Sequence, residues 1–393
     1  MRIADVEVVN LVFHYPEGAG FRYAGGACTG RVTSLVRVRT EDGTEGIGSV
    51  YSHPDLARIV IEQQLRPLLL GADPTGTEPL WQRMYELTRW YGRKGAAVSA
   101  LGGVDIALWD LKGKAAGRPV SALLGAERRS VPAYASGLLW HDDVAELERE
   151  AARHRGRGFR RVKMRLGRGE SYDVAALDAA LRGVGPGGGV MVDGSHRYTI
   201  EGAVALARVL AERRVVWFEE PFRPEDIDAY VALRGRGIGV KLAAGENEFG
   251  LQGFRELLRA GAVDIAQPDA CRTGGITEQL RVARMAAEHG VRIAPHTWSD
   301  AVALIANAHV VASLPHAITV EVDQTGNPFI DGMTTEPLRI GDGLLALPEG
   351  PGLGVEVDWD RMAGYVLPAG EPVPPGNYSD MVFAAGGGDD RPA

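Results

Sequence analysis

Val190-Met191-Val192-Asp193, Val215-Val216-Trp217-Phe218-Glu219 and Lys241-Leu242-Ala243-Ala244-Gly245-Glu246 are three short apolar runs, each ending in an acid. They belong to a longer series. Arg161-Val162-Lys163-Met164-Arg165 precedes them. Val263-Asp264-Ile265-Ala266-Gln267-Pro268-Asp269, Val291-Arg292-Ile293-Ala294-Pro295-His296 and Ala317-Ile318-Thr319-Val320-Glu321 follow. The runs recur roughly every two dozen residues, the length of one strand-loop-helix unit in a parallel α/β barrel. With Val131–Ser136 in front, the series makes eight strands. Helices are expected near Asp143–Arg155, Asp173–Arg182, Ile200–Glu212, Pro224–Arg234, Leu251–Ala260, Ile276–His289 and Ser299–Ser313. Thr277 and Ser299 fall near the N-caps of the last two. No helix is evident after the eighth strand. The expected fold is therefore a TIM-type (β/α) barrel over residues 131–355. Each polar residue ends its strand, and in such a barrel these ends share the face on which active sites are built.

Asp193, Glu219 and Glu246 end strands three, four and five. Three carboxylates gathered on one face repel each other unless a cation holds them. Three hard oxygen donors with no Cys or His among them suit Mg²⁺. Glu220 and Glu248 are neighbouring acids, but Glu219 ends its apolar run and Glu246 follows Gly245 directly. His296 ends strand seven and Asp269 ends strand six. The acid would orient the imidazole and raise its basicity, leaving the second ring nitrogen to take a substrate proton. Glu321, ending strand eight, would stay protonated if desolvated and donate to a developing oxyanion. Lys163 and Arg165, two apart on strand two, point to one side and would offer positive charge to a substrate carboxylate. Together these residues imply abstraction of a proton next to a carboxylate, with metal and acid donors stabilising an enediolate.

Working outward, residues 1–130 do not follow the barrel rhythm. Val6–Val12 reads as a strand, and Thr33–Arg39 with Gly46–Tyr51 as an antiparallel pair around Glu41-Asp42-Gly43. Pro16–Gly30, rich in Gly and aromatics (Phe21, Tyr23), reads as a loop, either a lid or a connector. Tyr51-Ser52-His53-Pro54 is a second candidate lid. Ala97–Gly113 is an apolar helix that must be buried. This first unit is an α+β domain, completed by about residues 356–384. The segment after Asp323 is rich in Pro and Gly, with Leu344–Leu347 as a short strand, and residues 385–393 read as a disordered tail.

Composition excludes other classes. The chain has 393 residues, 24% charged, and a net charge of −8. No basic block suggests nucleic acid, and no run of about eighteen apolar residues suggests a membrane span. The N-terminus lacks the apolar core of a signal peptide. Two cysteines, Cys28 and Cys271, are too few for a disulfide framework, so a cytoplasmic setting is expected. There is no zinc-type spacing, Walker loop or GxGxxG opening a helix.

The chain resembles the mandelate racemase/muconate lactonizing enzyme family of the enolase superfamily, over nearly all its length. The resemblance is carried by Ser99–Gly113, Lys163-Met164-Arg165, Asp193, Glu219-Glu220-Pro221, Gly245-Glu246-Asn247, Pro268-Asp269 with Gly274-Gly275-Ile276-Thr277, and His296. The Asp269–His296 pair with Glu321 looks like the mandelate racemase subgroup. That resemblance implies a modified, enolase-like barrel under a capping domain, Mg²⁺, α-proton abstraction from a carboxylate substrate, and a homo-oligomer (dimer to octamer). Two departures stand out. Lys163-Met164-Arg165 replaces the frequent Lys-x-Lys, and Asp193-Gly194-Ser195 replaces the frequent Asp-x-Asn. Arginine is too strong a conjugate acid to serve as a base near neutral pH, which shifts the expectation from a two-base racemase toward a dehydratase.

The leading expectation is a sugar-acid dehydratase acting on an aldonate or aldarate. The alternatives are an epimerase or racemase, an anhydro-sugar-acid cycloisomerase, and a non-catalytic carboxylate-binding protein. Ser195, Asn247, Trp298, Tyr23, Tyr51 and His53 complete the residues expected to meet substrate, on the loops Pro16–Gly30 and Tyr51–Pro54 and around Trp298.

Overall fold

The computed structural model describes residues 1–368, 370–374, 377–378 and 381–383. The expected tail, 385–393, lies outside the described residues. The chain opens with an antiparallel sheet of β1 (Ile3–His14), β2 (Phe21–Tyr23), β3 (Gly26–Thr40) and β4 (Glu45–Val50). Strands β3 and β4 pair around Glu41-Asp42-Gly43. Asp42 accepts from the Thr40 hydroxyl at 2.6 Å and the Thr44 amide at 3.2 Å, and Gly43 takes φ +85°, which a side chain would resist.

Pro16–Gly30 is not the loop its composition suggests. Phe21 pairs with Cys28 and Tyr23 with Gly26, so the segment closes into a hairpin with Ala24-Gly25 at its tip. Alternation of Phe21 and Tyr23 about Arg22 is a strand pattern that the surrounding glycines obscure. Ring contacts at 5.9 Å (Tyr15–Phe21) and 6.4 Å (Phe21–Tyr23) stiffen it.

The helix Ala96–Ala116 is apolar around its circumference and almost wholly buried. It lies so close to β4 that a Cβ on Gly48 would fall 1.9 Å from the Gly103 carbonyl. Its two buried acids tie the domains together. Asp105 accepts from the Thr277 amide (2.8 Å) and hydroxyl (2.7 Å), and Asp110 from the amides of Ile47 and Leu353. Thr277 is therefore bound by Asp105 rather than capping its own helix, Gly275–Glu288, whose N-cap is Gly274. The cap of Ala301–Ser313 is likewise Asp300, one residue beyond Ser299, accepting from the Ala303 amide and from Thr33 and Ser49.

The barrel strands are β5 (Ser130–Ser136), β6 (Arg161–Arg165), β7 (Gly189–Asp193), β8 (Phe218–Glu219), β9 (Leu242–Ala244), β10 (Ile265–Ala266), β11 (Arg292–Ile293) and β12 (Val320–Asp323). They pair parallel in that order, and β12 closes back on β5. Between β11 and β12 the closure is a bridge from Ile293 to Ala317, with the Ile318 amide 2.7 Å from the Ile293 carbonyl. Strand eight is shifted from Ala317–Glu321 to Val320–Asp323, so Glu321 lies within the strand, opposite Tyr134. The short helix Pro328–Asp331 follows it. Inside the barrel, Tyr134, Met191, Trp217, Ala243, Ile265 and Ala294 form a buried layer that floors the open end.

Beyond the barrel, β13 (Ile340–Gly341) and β14 (Leu344–Ala346) form a hairpin whose second strand pairs with β5. The last described segments, β15 (Asn377–Tyr378) and β16 (Met381–Phe383), return to the first sheet, β16 pairing with β3. Among the described residues no helix is long and apolar enough to cross a membrane.

Candidate active site

Three acids meet at the open end of the barrel. Asp193 ends β7, Glu219 ends β8, and Glu246 follows β9 across Gly245. One carboxylate oxygen from each lies within 4.8 Å of the others, so the three could hold a metal ion. Asp193 and Glu219 are buried. Lys163 Nζ lies 2.5 Å from Glu219, 2.8 Å from Glu321 and 3.9 Å from Asp193. Arg165 Nη1 pairs with Asp193. Two cations among four carboxylates leave two negative charges, the deficit a divalent ion would neutralise. The Glu246 Oε2 atom is buried without a hydrogen-bond partner among the described residues, which is costly unless something else satisfies it. Burial pushes the Glu219 carboxyl above its ordinary range; Lys163 opposes this, and Glu246 and Glu321 add to it.

The competing acids are engaged elsewhere. Glu220 Oε2 accepts from His196 Nε2 at 2.5 Å and from Asn247 Nδ2 at 2.7 Å. Glu248 pairs with Lys94 at 2.8 Å.

His296 and Asp269 are brought together as expected from their strands. Nδ1 of the imidazole lies 3.0 Å from Asp269 Oδ2, while Nε2 lies 3.9 Å from Glu246. The other Asp269 oxygen accepts from the Cys271 amide and from Asn307 Nδ2, each at 3.0 Å. Asn307 was not singled out from sequence, although a polar residue within the apolar run Ala301–Ala312 is a visible signal. Burial alone would lower the His296 pKa, but Glu246, the Asp269 hydrogen bond and Glu321 outweigh it and raise it to about 9.

Two expected roles change. Glu321 is fully buried, but it is not the protonated donor anticipated. It pairs with Lys163 and accepts from the Thr297 amide at 3.1 Å. Burial raises its pKa, yet Lys163 and His296 prevail and hold it down at about 2. Lys163 is only 1% exposed and does not line the cavity. Its register opposite Ser136 and Met191 sets it deeper than Arg165, which stands opposite Asp193 at the rim. Of the two cations expected to face substrate, Arg165 alone lines the cavity.

That cavity measures about 450 Å³. Tyr23 and Tyr51 enter it from the first domain; Ser195, Asn247 and Trp298 enter from barrel loops. Ser195 donates from its amide (2.7 Å) and hydroxyl (3.2 Å) to Asp193. Asn247 is braced between Glu220 and Arg272. Tyr51 lies 5.1 Å, ring to ring, from His296, and its amide is bonded to the Cys271 carbonyl. His53 does not line the cavity; it precedes the helix Pro54–Ile59, which begins at the end of the second candidate lid, Tyr51–Pro54. Trp298 is wedged between Arg31 and Arg165, each guanidinium 5.3 Å from its ring. Arg31, fully buried and missed from sequence, pairs with Asp323 at 3.0 Å and joins β3 to the barrel. His196, Arg197 and Arg223 also line the cavity and were missed. For His196, its place three residues beyond a strand-end acid was the available clue.

Residues 146–361 match the family model described as enolase C-terminal domain-like, and residues 12–125 match that of the mandelate racemase / muconate lactonizing enzyme N-terminal domain. The chain is 38% identical over 350 residues to a D-galactarolactone cycloisomerase of Agrobacterium fabrum, covering 86% of this chain and 92% of that protein. It is 34% identical over 325 residues to an arabinonate dehydratase of Saccharolobus solfataricus, covering 81% and 87%. The crystal structure of a racemase from Streptomyces coelicolor A3(2) with bound magnesium superposes with a TM-score of 0.85 at 31% identity, covering 93% of this chain and 100% of that one.

Proposed function

We propose, from the premise that the chain belongs to the mandelate racemase/muconate lactonizing enzyme family of the enolase superfamily, that it removes the α-proton of a sugar acid and expels the β-oxygen. Its relatives are dehydratases and cycloisomerases, so it is an enzyme of the lyase or isomerase type. The observation that carries the reading is the buried His296–Asp269 pair at 3.0 Å, with the three-carboxylate cluster beside it. Asp269 fixes the ring and stabilises its charged form, so Nε2 is the atom that takes the proton. Asp193, Glu219 and Glu246 would hold Mg²⁺, and the donor set, the orphaned Glu246 oxygen and the uncompensated charge all fit that ion. When bound, Mg²⁺ supplies Lewis-acid stabilisation of the charge that develops on the substrate carboxylate. Arg165 binds a substrate oxygen; it keeps its proton, because Glu246, Glu219 and Glu321 overcome the effect of its burial and raise its pKa.

Dehydration of an aldonate or aldarate is the leading reading. Cycloisomerisation of a sugar lactone or anhydro-sugar acid is the second, favoured by the 38% identity to the galactarolactone enzyme. Both begin with the same proton abstraction. The proposal includes a cytoplasmic homo-oligomer, which sedimentation and cell fractionation test. The deciding experiment incubates the protein and Mg²⁺ with aldonates, aldarates, their lactones and anhydro-sugar acids, scoring 2-keto acid formation and product mass. A keto acid lighter by one water marks the dehydratase, and one of unchanged mass marks the cycloisomerase. If no compound yields a keto acid, the reading fails.

A further inference from the structure

The half of the cavity opposite His296 carries a second imidazole–carboxylate pair. Strands β7 and β11 are four apart in an eight-stranded barrel, so the loops that follow them face each other across its mouth. His296 follows β11, and His196 follows β7 and also lines the cavity. Its Nε2 lies 2.5 Å from Glu220 Oε2. Glu220 is buried and fixed in turn by Asn247 Nδ2 at 2.7 Å and the Gly245 amide at 3.3 Å. His196 Nδ1 has no hydrogen-bond partner among the described residues, which leaves that nitrogen for a ligand.

The backbone is built to hold this pair. The Gly194 amide meets the Glu219 carbonyl at 2.7 Å, His196 meets Glu220 at 2.9 Å, and Tyr198 meets Pro221 at 3.1 Å, so the two loops are zipped together. Ser195, His196 and Glu220 take φ of 50°, 61° and 33°, three of the six described non-glycine residues in the left-handed region. Such conformations persist only where surrounding contacts enforce them, and they concentrate at functional sites. Arg165 borders the same half of the cavity, but its guanidinium is paired with Asp193 and is too weak an acid to donate a proton.

We propose that His196, oriented by Glu220, is the general acid that protonates the departing β-oxygen, on the substrate face opposite His296. The inference rests on the β-elimination reading above. In the step, the Cα–H bond breaks and its proton passes to His296 Nε2. The electron pair becomes the Cα–Cβ double bond. The Cβ–O bond breaks, and the oxygen leaves with its bonding pair and the proton of His196 Nδ1. Hydroxyl leaves as water; in a lactone or anhydro ring the oxygen stays tethered. The enol tautomerises to the 2-keto acid. His296 ends protonated and His196 neutral, and exchange with solvent resets both. Removal and departure on opposite faces make the elimination anti.

The test uses whichever aldonate, aldarate or lactone the wild-type chain converts, together with its analogue bearing fluorine at the β-carbon. Fluoride leaves without prior protonation, so it does not need the acid. His196→Asn should lower keto-acid formation from the natural substrate by about 10²–10⁴-fold, the range for losing a general acid. It should still exchange the α-proton in D₂O, and its deficit with the fluoro analogue should shrink below about tenfold. Glu220→Gln, which preserves shape, should give the same leaving-group pattern with smaller amplitude and covers the case in which His196→Asn does not fold. The inference is overturned if the variants eliminate at the wild-type rate, if the deficit is equal for both leaving groups, or if exchange is lost together with elimination. A wild-type chain that converts no sugar acid would instead sink the reading of the function.

Discussion

Lys163→Met removes the cation that holds the carboxylates beneath the cavity. Its Nζ lies 2.5 Å from Glu219 and 2.8 Å from Glu321, at a position 1% exposed. Breaking one side of a buried ion pair costs about 3–5 kcal/mol, because the orphaned charge stays buried. A chain of 393 residues that unfolds as one unit has an unfolding entropy of about 0.8 kcal/mol/K at the usual per-residue value. The melting temperature in chelator should therefore fall by about 4–6 °C. Magnesium should recover part of this. At a hundred times its Kd a ligand returns about 2.7 kcal/mol, or about 3 °C here. The gain should be larger in the variant than in the wild type, since Nζ no longer competes for Glu219. Thermal melts of both proteins in EDTA and in MgCl₂ supply the four numbers. A loss under about 1 °C in EDTA, or a smaller magnesium gain in the variant, would refute the view of Lys163 as an internal counter-ion.

Two further outcomes follow from groups away from the three-carboxylate cluster. Asn307→Ala removes a 3.0 Å contact to Asp269, and kcat should fall about 10–100-fold with magnesium affinity unchanged; an unaltered kcat would show that Asp269 does not need this support. His309 is buried, accepts from the Ser121 amide at 3.1 Å and meets the Leu353 carbonyl at 3.0 Å, and burial pushes its pKa down to about 4. The unfolded chain binds its proton near the ordinary value of about 6.5, so this contribution is complete above that pH and fades as pH falls toward 4, by about 3 kcal/mol in all. Urea melts at pH 8 and pH 5 should show a steeper acid loss in the wild type than in His309→Gln, and equal losses would contradict the assignment.

The barrel and the gathering of Asp193, Glu219 and Glu246 were legible because both depend on local period and strand ends. What was not legible depends on depth and long-range partners. The two-residue period of β6 puts Lys163 and Arg165 on one side, but it does not say that Lys163 lies a full pleat deeper, against Glu219 and Glu321. Burial of Glu321 suggested a neutral acid, whereas its state is set by Lys163, 158 positions earlier in the chain. The inward turn of His196 rests on left-handed backbone at residues that are not glycine, so no residue type announces it. The hairpin Phe21–Cys28 was hidden by glycines that serve its turn, and the shift of β12 followed from pairing with β5 rather than from its own apolar run.

In the proposed reaction His296, held by Asp269, removes the α-proton. Solvent deuterium incorporation at the α-carbon, followed by NMR for wild type and His296→Asn with the converted sugar acid, tests it most directly. Magnesium binding by calorimetry serves as the control. The variant should bind magnesium as the wild type does and lose deuterium incorporation and product formation together, by at least about 10²–10⁴-fold. Incorporation at the wild-type rate in His296→Asn, with magnesium bound, would place the base at another residue.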